Sequence, residues 1–234
     1  EVVALAKPAS PLAQPEMPDF RPDALPQRLT IAYALVSSLV EGEAEYTWTR
    51  DGDRYEIAGN AQANGFFTLF LEGSITQESR GRVTPEGLRP ERFVEKRGDR
   101  GEEGLDFDWT ARTVRFRRGA DERAAPLTDS TVDWLTMIFQ LAHAPQGPQE
   151  GQALRVFTQR RLYEYRLRMV GTEEIEVPIG RVRTVHLRHD GARPAESVDV
   201  WLGIDQHYLP VKLRYPVARN RLLVEQVATR LEAR

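Results

Sequence analysis

The sequence predicts a mainly β fold, in which a curved, many-stranded antiparallel sheet or open barrel holds one buried helix at about residues 130–143. Three observations support this prediction. From Leu29 onward the dominant hydrophobic period is two, which is typical of strands whose side chains alternate between two faces. Turn signals recur roughly every 8 to 15 residues, which favours antiparallel pairing of neighbouring strands over crossover connections. A single segment, residues 131–143, is instead apolar at helical spacing.

The composition places the chain among globular proteins. Its 234 residues are 41% hydrophobic and 29% charged, so enough apolar surface exists to offset the entropy of ordering the backbone. The formal net charge of −3 provides no positive field for binding nucleic acid, and we expect no such partner. The absence of cysteine excludes disulfides, zinc–thiolate sites and thiol nucleophiles.

The first 27 residues differ from the rest because they contain six of the 15 prolines. We predict that residues 1–27 form a Pro-rich flexible linker and that residues 28–234 form a single antiparallel β domain. The linker is either a spacer from a membrane anchor ahead of Glu1 or a terminus without a role. No stretch reaches the ~18 consecutive apolar residues of a membrane span, so we expect a domain that is not membrane-embedded. If the linker is a spacer, we expect a segment ahead of Glu1 to tether the domain to a membrane.

The strands follow from alternation and turn chemistry. Ala44, Tyr46 and Trp48 alternate with polar residues, and Asp51-Gly52-Asp53 then turns the chain into a partner strand from Arg54. Thr84-Pro85-Glu86-Gly87 is a second turn signal. Further strands are predicted near residues 74–83, 88–97, 105–109, 113–117, 163–169, 181–189, 196–202, 208–215 and 222–231.

The predicted helix follows Asp129-Ser130. Ser130 is the expected N-cap, Asp133 lies where a capping box places an acid, and Pro145 comes just after the end. Apolar residues nearly encircle the helix, so either protein covers both sides or one side faces a ligand cavity. We predict that the helix plugs a curved sheet.

A second apolar segment, Phe66–Leu71, does not alternate. It is either an element of the core or one wall of an apolar ligand cavity. If a cavity exists, its expected walls are Phe66, Phe70, Trp134, Ile138 and Phe139.

Sequence motifs provide little support for catalysis. The chain contains no G-x-S-x-G, no phosphate-binding G-x-x-x-x-G-K-S/T and no H-E-x-x-H. His186 and His189 are three residues apart on a strand, which places them on opposite faces and makes them a poor chelating pair. Asp106 and Asp108 share one strand face, which we interpret as an outward polar face rather than an acid–base pair. We therefore expect no catalytic residue, no metal site and no cofactor.

Several short segments together resemble a known family. They are Gly87–Phe93 with Lys96-Arg97, then Phe107-Asp108-Trp109, then Asp129-Ser130 ahead of Phe139-Gln140-Leu141, and finally Val200-Trp201-Leu202 leading through Asp205 to Tyr208–Leu213. In this order and spacing they resemble domain of unknown function 3108 (DUF3108), which occurs in exported proteins of Gram-negative bacteria. The resemblance implies a periplasmic, mostly antiparallel β domain, preceded in some members by an inner-membrane anchor and a Pro-rich spacer. It implies no catalytic residues.

Three functional hypotheses follow. The leading one is a non-enzymatic periplasmic domain that binds an apolar ligand, such as a lipid or acyl chain, in a concave sheet. The alternative is a protein-interaction module of a cell-envelope assembly, which uses a strand edge or an Arg-rich face. The arginine clusters near residues 112–118 and 155–168 suggest that face, although we interpret them as solvated strand faces rather than a phosphate site. The third is a hydrolase that uses Asp106, Asp108 or a histidine.

Overall fold

Strand pairing dominates the computed structural model, which describes residues 25–37, 41–63, 74–99, 101–119, 121–143, 153–158, 162–191, 196–217 and 222–234. In the first half of the chain the strands are β1 (Arg28–Val36), β2 (Glu41–Asp51), β3 (Arg54–Ala63), β4 (Ile75–Thr84), β5 (Gly87–Arg97), β6 (Glu103–Asp108), β7 (Thr113–Arg118) and β8 (Asp121–Pro126). In the second half they are β9 (Thr131–Asp133), β10 (Leu154–Phe157), β11 (Leu162–Tyr165), β12 (Arg168–Val177), β13 (Gly180–His189), β14 (Val198–Gly203), β15 (Pro210–Val217) and β16 (Leu222–Ala233). The helix α1 spans Trp134–His143.

Thirteen strands form one antiparallel sheet in the order β12-β13-β14-β15-β16-β1-β2-β3-β4-β5-β6-β7-β8. Neighbours in the sheet are consecutive in sequence except at the β16–β1 junction, where the last strand pairs with the first. In the described part of the chain β8 and β12 are free edges, so the sheet is not closed. The predicted fold class is confirmed: a mainly β, open antiparallel sheet with one helix.

The predicted alternation matches the burial of side chains on the sheet. In β2, Ala44, Tyr46 and Trp48 are buried, whereas Glu43 and Glu45 at the alternate positions are exposed. The β2–β3 hairpin is confirmed, and its turn residue Gly52 has a φ of +60°, which glycine adopts without steric cost. Because most strands of the large sheet have one apolar face, the curved sheet encloses the core on its concave side.

A second, small sheet contains β9, β10 and β11. β10 pairs with β11 in antiparallel fashion but with β9 in parallel, which departs from the antiparallel pairing that we predict. The reason is that α1 lies between β9 and β10 in the chain. A helix that returns the chain in the same direction is the usual connection between parallel strands.

Helix α1 begins later than predicted, and its cap is Asp133, not Ser130. Pairing with β10 holds residues 131–133 in an extended conformation, so the helix cannot start before Trp134. The Asp133 Oδ1 accepts a hydrogen bond from the Thr136 backbone N at 2.9 Å, which is N-cap geometry. The Ser130 hydroxyl instead donates to the Ala153 carbonyl at 2.8 Å.

Helix α1 lies against the concave side of the large sheet. It contacts β3, β4 and β5 on one side and β15 on the other, as well as β9 and β10. Seven of its residues are buried, as expected for a nearly all-apolar helix. No helix in the described ranges is long and apolar enough to cross a membrane.

Two predictions fall largely outside the described residues. These are the Pro-rich linker, of which residues 1–24 are not described, and the Phe66–Leu71 run. Leu25, near the end of the predicted linker, is buried against the domain, and the Trp48 indole donates a hydrogen bond to the Pro26 carbonyl at 3.1 Å.

Candidate functional site

One face of α1 and the C-terminal strands enclose an apolar gap. Trp134, Met137 and Leu141 lie on this face at i, i+3 and i+7, which brings them into line along the helix. They face six residues of β11, β14, β15 and the β11–β12 connection. These are Tyr165, Leu167, Val198, Val200, Leu213 and Tyr215. We call these nine residues the apolar seam.

The apolar seam is nearly filled by its own side chains. Its free volume is about 20 Å³, which has room for about one water molecule. The Trp134 and Tyr215 rings meet edge to face, with centroids 5.5 Å apart. None of the nine side chains carries a charge at neutral pH, so the surroundings of the gap favour an apolar occupant.

The opposite side of α1 is held by hydrogen bonds. We call Tyr55, Ser79, Asp133, Thr136 and Gln140 the polar anchor. The Asp133 Oδ2 accepts hydrogen bonds from the Ser79 hydroxyl at 2.6 Å and the Thr136 hydroxyl at 2.8 Å. The Tyr55 and Thr136 hydroxyl oxygens are 3.0 Å apart. Burial raises the pKa of Asp133, although the hydrogen bonds from Ser79 and Thr136 oppose the rise.

The polar anchor also ties the helix to the β4–β5 turn. The Gln140 Oε1 accepts a hydrogen bond from the Leu88 backbone N at 2.6 Å. Gly87, beside it, has a φ of +137°, and a Cβ added there would lie 2.7 Å from the Gln140 Nε2. The turn therefore requires glycine both for its backbone conformation and for its distance from the helix.

Three polar side chains lie in or beside the apolar seam, namely the seam residue Tyr215 and its neighbours Gln226 and Tyr46. The Tyr215 hydroxyl donates to the Gln226 Oε1 at 3.2 Å, and Gln226 lies directly opposite the seam residue Leu213 in the β15–β16 ladder. Directly opposed residues point to the same face of a sheet, so Gln226 faces the concave side. Tyr46 is the third member, and the side chains of Trp134 and Gln226 lie beside its hydroxyl. We call Tyr46, Tyr215 and Gln226 the polar border.

The polar border disfavours negative charge. Burial raises the pKa of Tyr46 to about 12, and the nearby carboxylate of Glu95 adds to the rise. Burial likewise raises the pKa of Tyr215, and Tyr46 adds to it. Both shifts have the same main cause, because a phenolate would lose its hydration on burial.

Of the predicted cavity residues, Trp134 lies in the apolar seam. Ile138 and Phe139 are fully buried in the core, where Phe139 stacks on Trp48 with a centroid distance of 5.3 Å. Phe66 and Phe70 lie outside the described residues. The alternation of residues 163–169 already placed Tyr165 and Leu167 on one strand face, whereas nothing in the sequence singled out Gln226.

The other candidate residues have structural partners. Asp106 forms an ion pair with Arg117 at 2.5 Å, while its neighbours Leu105 and Phe107 are buried on the other face. His186 stacks on Trp201 with a centroid distance of 4.4 Å. The described residues include no group of three or more His, Asp and Glu that could hold a metal ion.

Several arginines of the two clusters are paired with carboxylates. The pairs are Arg112 with Asp129 at 2.5 Å, Arg118 with Glu103 at 3.0 Å, Arg155 with Glu164 at 3.2 Å and Arg168 with Asp190 at 2.8 Å. Guanidinium groups that already face carboxylates present little net charge to an external anion. This pairing favours the interpretation as solvated strand faces over a phosphate site.

Comparison with known proteins identifies a family and a fold. A family model described as "Protein of unknown function (DUF3108)" matches residues 29–222. No curated protein matches the chain. The chain is similar in structure to a β-barrel-like protein of domain of unknown function DUF1849 from Brucella abortus, with 10% identity over 89% of this chain and 98% of that chain and a TM-score of 0.56. At this identity the likeness concerns the fold alone.

A weaker structural likeness links the chain to a candidate lipoprotein from Parabacteroides distasonis. The identity is 10%, the match covers 89% of this chain and 97% of that chain, and the TM-score is 0.40.

Proposed function

This chain belongs to the DUF3108 family of proteins of unknown function, and from that premise we propose that it is a non-catalytic domain that binds an apolar ligand, such as a lipid or an acyl chain, in the apolar seam. One observation carries this proposal. Nine uncharged side chains surround a gap between α1 and the concave side of the sheet. Transfer of apolar ligand surface from water to such a site contributes roughly 25 cal/mol per Å².

The attachment of α1 explains how the apolar seam can open. Directional hydrogen bonds hold the helix on the side of the polar anchor. On the side of the apolar seam most contacts are apolar, so most side chains there can repack without breaking a hydrogen bond. Trp134 also lies beside the Tyr46 hydroxyl, and it gives up that polar contact when it moves. Met137 has an unbranched, flexible side chain, and Trp134 is only partly buried. These two residues are the expected moving parts.

A ligand must displace side chains to enter. A drug-sized ligand fills about 300 Å³ or more, whereas the free volume of the apolar seam is about 20 Å³. Binding therefore moves the Trp134 ring away from Tyr215. We expect a change in tryptophan fluorescence on binding, which Trp134→Phe removes.

The test is mass spectrometry of organic extracts from the domain purified without denaturation from a Gram-negative periplasm. Wild type is compared with Trp134→Arg, which places a charge in the apolar seam. Val36→Arg is the matched control, because Val36 is 46% exposed on β1. Circular dichroism verifies that both variants fold.

A stoichiometric lipid in wild type and Val36→Arg, but not in Trp134→Arg, is the expected result. Extracts that match those of an unrelated periplasmic protein would count against a tightly held ligand. Addition of defined apolar ligands to the purified domain then decides whether the apolar seam binds any of them.

We propose the periplasm as the compartment, with an N-terminal segment as the tether to the inner membrane. The support is the family resemblance described above. Protease added to spheroplasts should degrade the domain in the full-length protein, while a cytoplasmic marker stays intact. Protection equal to that of the marker would exclude this location.

A second candidate function is a protein-interaction module, and a strand edge favours it. The ten-residue β12 pairs only with β13 among the described strands, and Val170 on it is 49% exposed. Such an edge can accept a strand of another protein. A photocrosslinker at position 170 should then yield a discrete adduct in intact cells, whereas one at position 36 should not.

A further inference from the structure

Gln226 is a buried polar side chain that is only partly satisfied. It is 1% exposed, and its Oε1 accepts a hydrogen bond from the Tyr215 hydroxyl. The Tyr46 hydroxyl lies beside this side chain, but in the described part of the structure Nε2 has no hydrogen-bond partner of good geometry. A buried donor without an acceptor costs about 1 to 3 kcal/mol, so the site gains from any ligand that supplies one.

The position of Gln226 links this donor to the apolar seam. Gln226 is directly opposite Leu213 on β15 and opposite Leu35 on β1, so it lies on the concave side between two apolar strands. Tyr215, which lines the apolar seam, forms the hydrogen bond to its amide. An acceptor group at this end of a bound ligand would meet the Nε2 of Gln226 beside the Tyr46 hydroxyl, because the Tyr215 hydroxyl already donates to Gln226.

The charges near this end exclude an anionic headgroup. The residues of the apolar seam and the polar border include no cation. The charged group that acts on Tyr46 is Glu95, which is 4% exposed and already forms an ion pair with Arg97, so the guanidinium of Arg97 is not free for a ligand. A buried carboxylate or phosphate without a cation loses its hydration and gains no ion pair in return.

From these observations we infer that the ligand of the apolar seam is uncharged and carries one hydrogen-bond acceptor, such as a hydroxyl, ester or amide, at the end that Gln226 binds. Free fatty acids and phosphate-bearing headgroups are excluded from this end. This inference rests on the proposed function and adds the chemical class of the ligand.

The high pKa values of the tyrosines agree with this inference. Tyr46 and Tyr215 both resist ionisation because a negative charge at this end is poorly solvated. The same physical reason applies to an anionic headgroup.

The test is competition against the uncharged fluorescent probe N-phenyl-1-naphthylamine. The competitors are decanol, methyl decanoate and decanoate at about pH 8, where a carboxylic acid is ionised. We expect decanol and methyl decanoate to displace the probe and decanoate to do so more than about tenfold less well. This comparison uses the wild-type protein and needs no variant.

Gln226→Leu tests the hydrogen bond. Leucine is similar in size and removes the unpaired donor, but it also leaves the Tyr215 hydroxyl without its acceptor, so urea unfolding first verifies that the variant is folded. We expect decanol and methyl decanoate to bind roughly threefold to tenfold more weakly, while the probe binds as before. Gln62→Leu, at an exposed position on β3, is the matched control and should change neither.

The outcomes separate the two proposals. If neither the probe nor any competitor binds, the proposed function is wrong and this inference falls with it. If all three competitors bind equally well, or if Gln226→Leu leaves decanol binding unchanged, an apolar ligand still binds but its polar end is not recognised as inferred.

Discussion

The two sides of helix α1 are held by different kinds of interaction. The polar anchor connects the helix to β3, β4 and the β4–β5 turn through short hydrogen bonds of 2.6 to 3.0 Å. The apolar seam connects it to β11, β14 and β15 through apolar contacts around a gap of about 20 Å³. The same ten-residue helix is thus fixed on one side and adjustable on the other.

The difference shows how a binding site can be built into a core. Hydrogen bonds are directional, so they define one position of the helix. Apolar contacts are not directional, so several side-chain arrangements have similar free energy. In the proposed function, a ligand enters on the apolar side while the polar anchor keeps the helix in place.

The largest expected effect on stability comes from a leucine-to-alanine substitution, which we compare on the two sides of helix α1. Leu135 is fully buried beside β3, where a Cβ on Gly59 would lie only 3.1 Å from its Cδ2. Leu141 is equally buried but lines the apolar seam. We expect Leu135→Ala to lower the free energy of unfolding by about 3 to 4 kcal/mol and Leu141→Ala by about 2 kcal/mol, because a residue beside a gap has fewer contacts to lose. Urea unfolding measures both, and equal losses would show that the two sides are packed alike.

The second-largest expected effect on stability comes from removal of Asp133, the centre of the polar anchor. Asp133→Ala deletes the helix cap and leaves the buried hydroxyls of Ser79 and Thr136 without their acceptor. We expect a loss of about 2 to 3 kcal/mol in the free energy of unfolding. Asp133→Asn keeps one acceptor oxygen and should lose less. If the alanine variant is as stable as wild type, the polar anchor does not fix the helix.

The third expected effect is that the free energy of unfolding depends on pH through the titration of Asp133. Burial raises its pKa in the folded protein above its ordinary value, so the folded state binds a proton more tightly than the unfolded state. The free energy of unfolding of wild type should fall as pH rises from about 4 through the raised pKa, by about 1.4 kcal/mol for each unit of the rise. Asparagine does not titrate, so the stability deficit of Asp133→Asn should shrink over this range. A deficit that is independent of pH would mean that Asp133 titrates normally.

The smallest effect compares two tyrosine hydroxyls. Tyr55→Phe removes a hydroxyl from the polar anchor, 3.0 Å from that of Thr136. Tyr215→Phe removes the longer, 3.2 Å hydrogen bond of the polar border. We expect losses of about 1 kcal/mol and about 0.5 kcal/mol in the free energy of unfolding. Thermal unfolding ranks the two, and the reverse order would indicate that the polar border, rather than the polar anchor, holds the helix.

Part of the candidate site was predictable from local pattern. The nearly all-apolar helix indicated that one side could face a cavity, and Trp134 does line the apolar seam. Ile138 and Phe139 are large apolar residues of the same helix and were also predicted to line the cavity, yet both lie in the filled core. The sequence does not encode which apolar residues of the helix meet which strand, because Leu135, Ile138 and Phe139 are as apolar as Met137 and Leu141.

The sequence by itself determined most of the strands, the β2–β3 hairpin and the presence of one helix. It did not predict β8, β9 or β10, and the strand predicted at residues 163–169 is divided between β11 and β12. The features that it determined depend on neighbouring residues, such as the alternation in β2 and the positive φ of Gly52. Only the tertiary structure decided that β16 pairs with β1, that Asp133 rather than Ser130 caps the helix, and that Gln226 is buried beside the apolar seam. The physical reason is that each of these depends on contacts between segments far apart in the chain, and such contacts are selected by the packing of the whole sheet around α1.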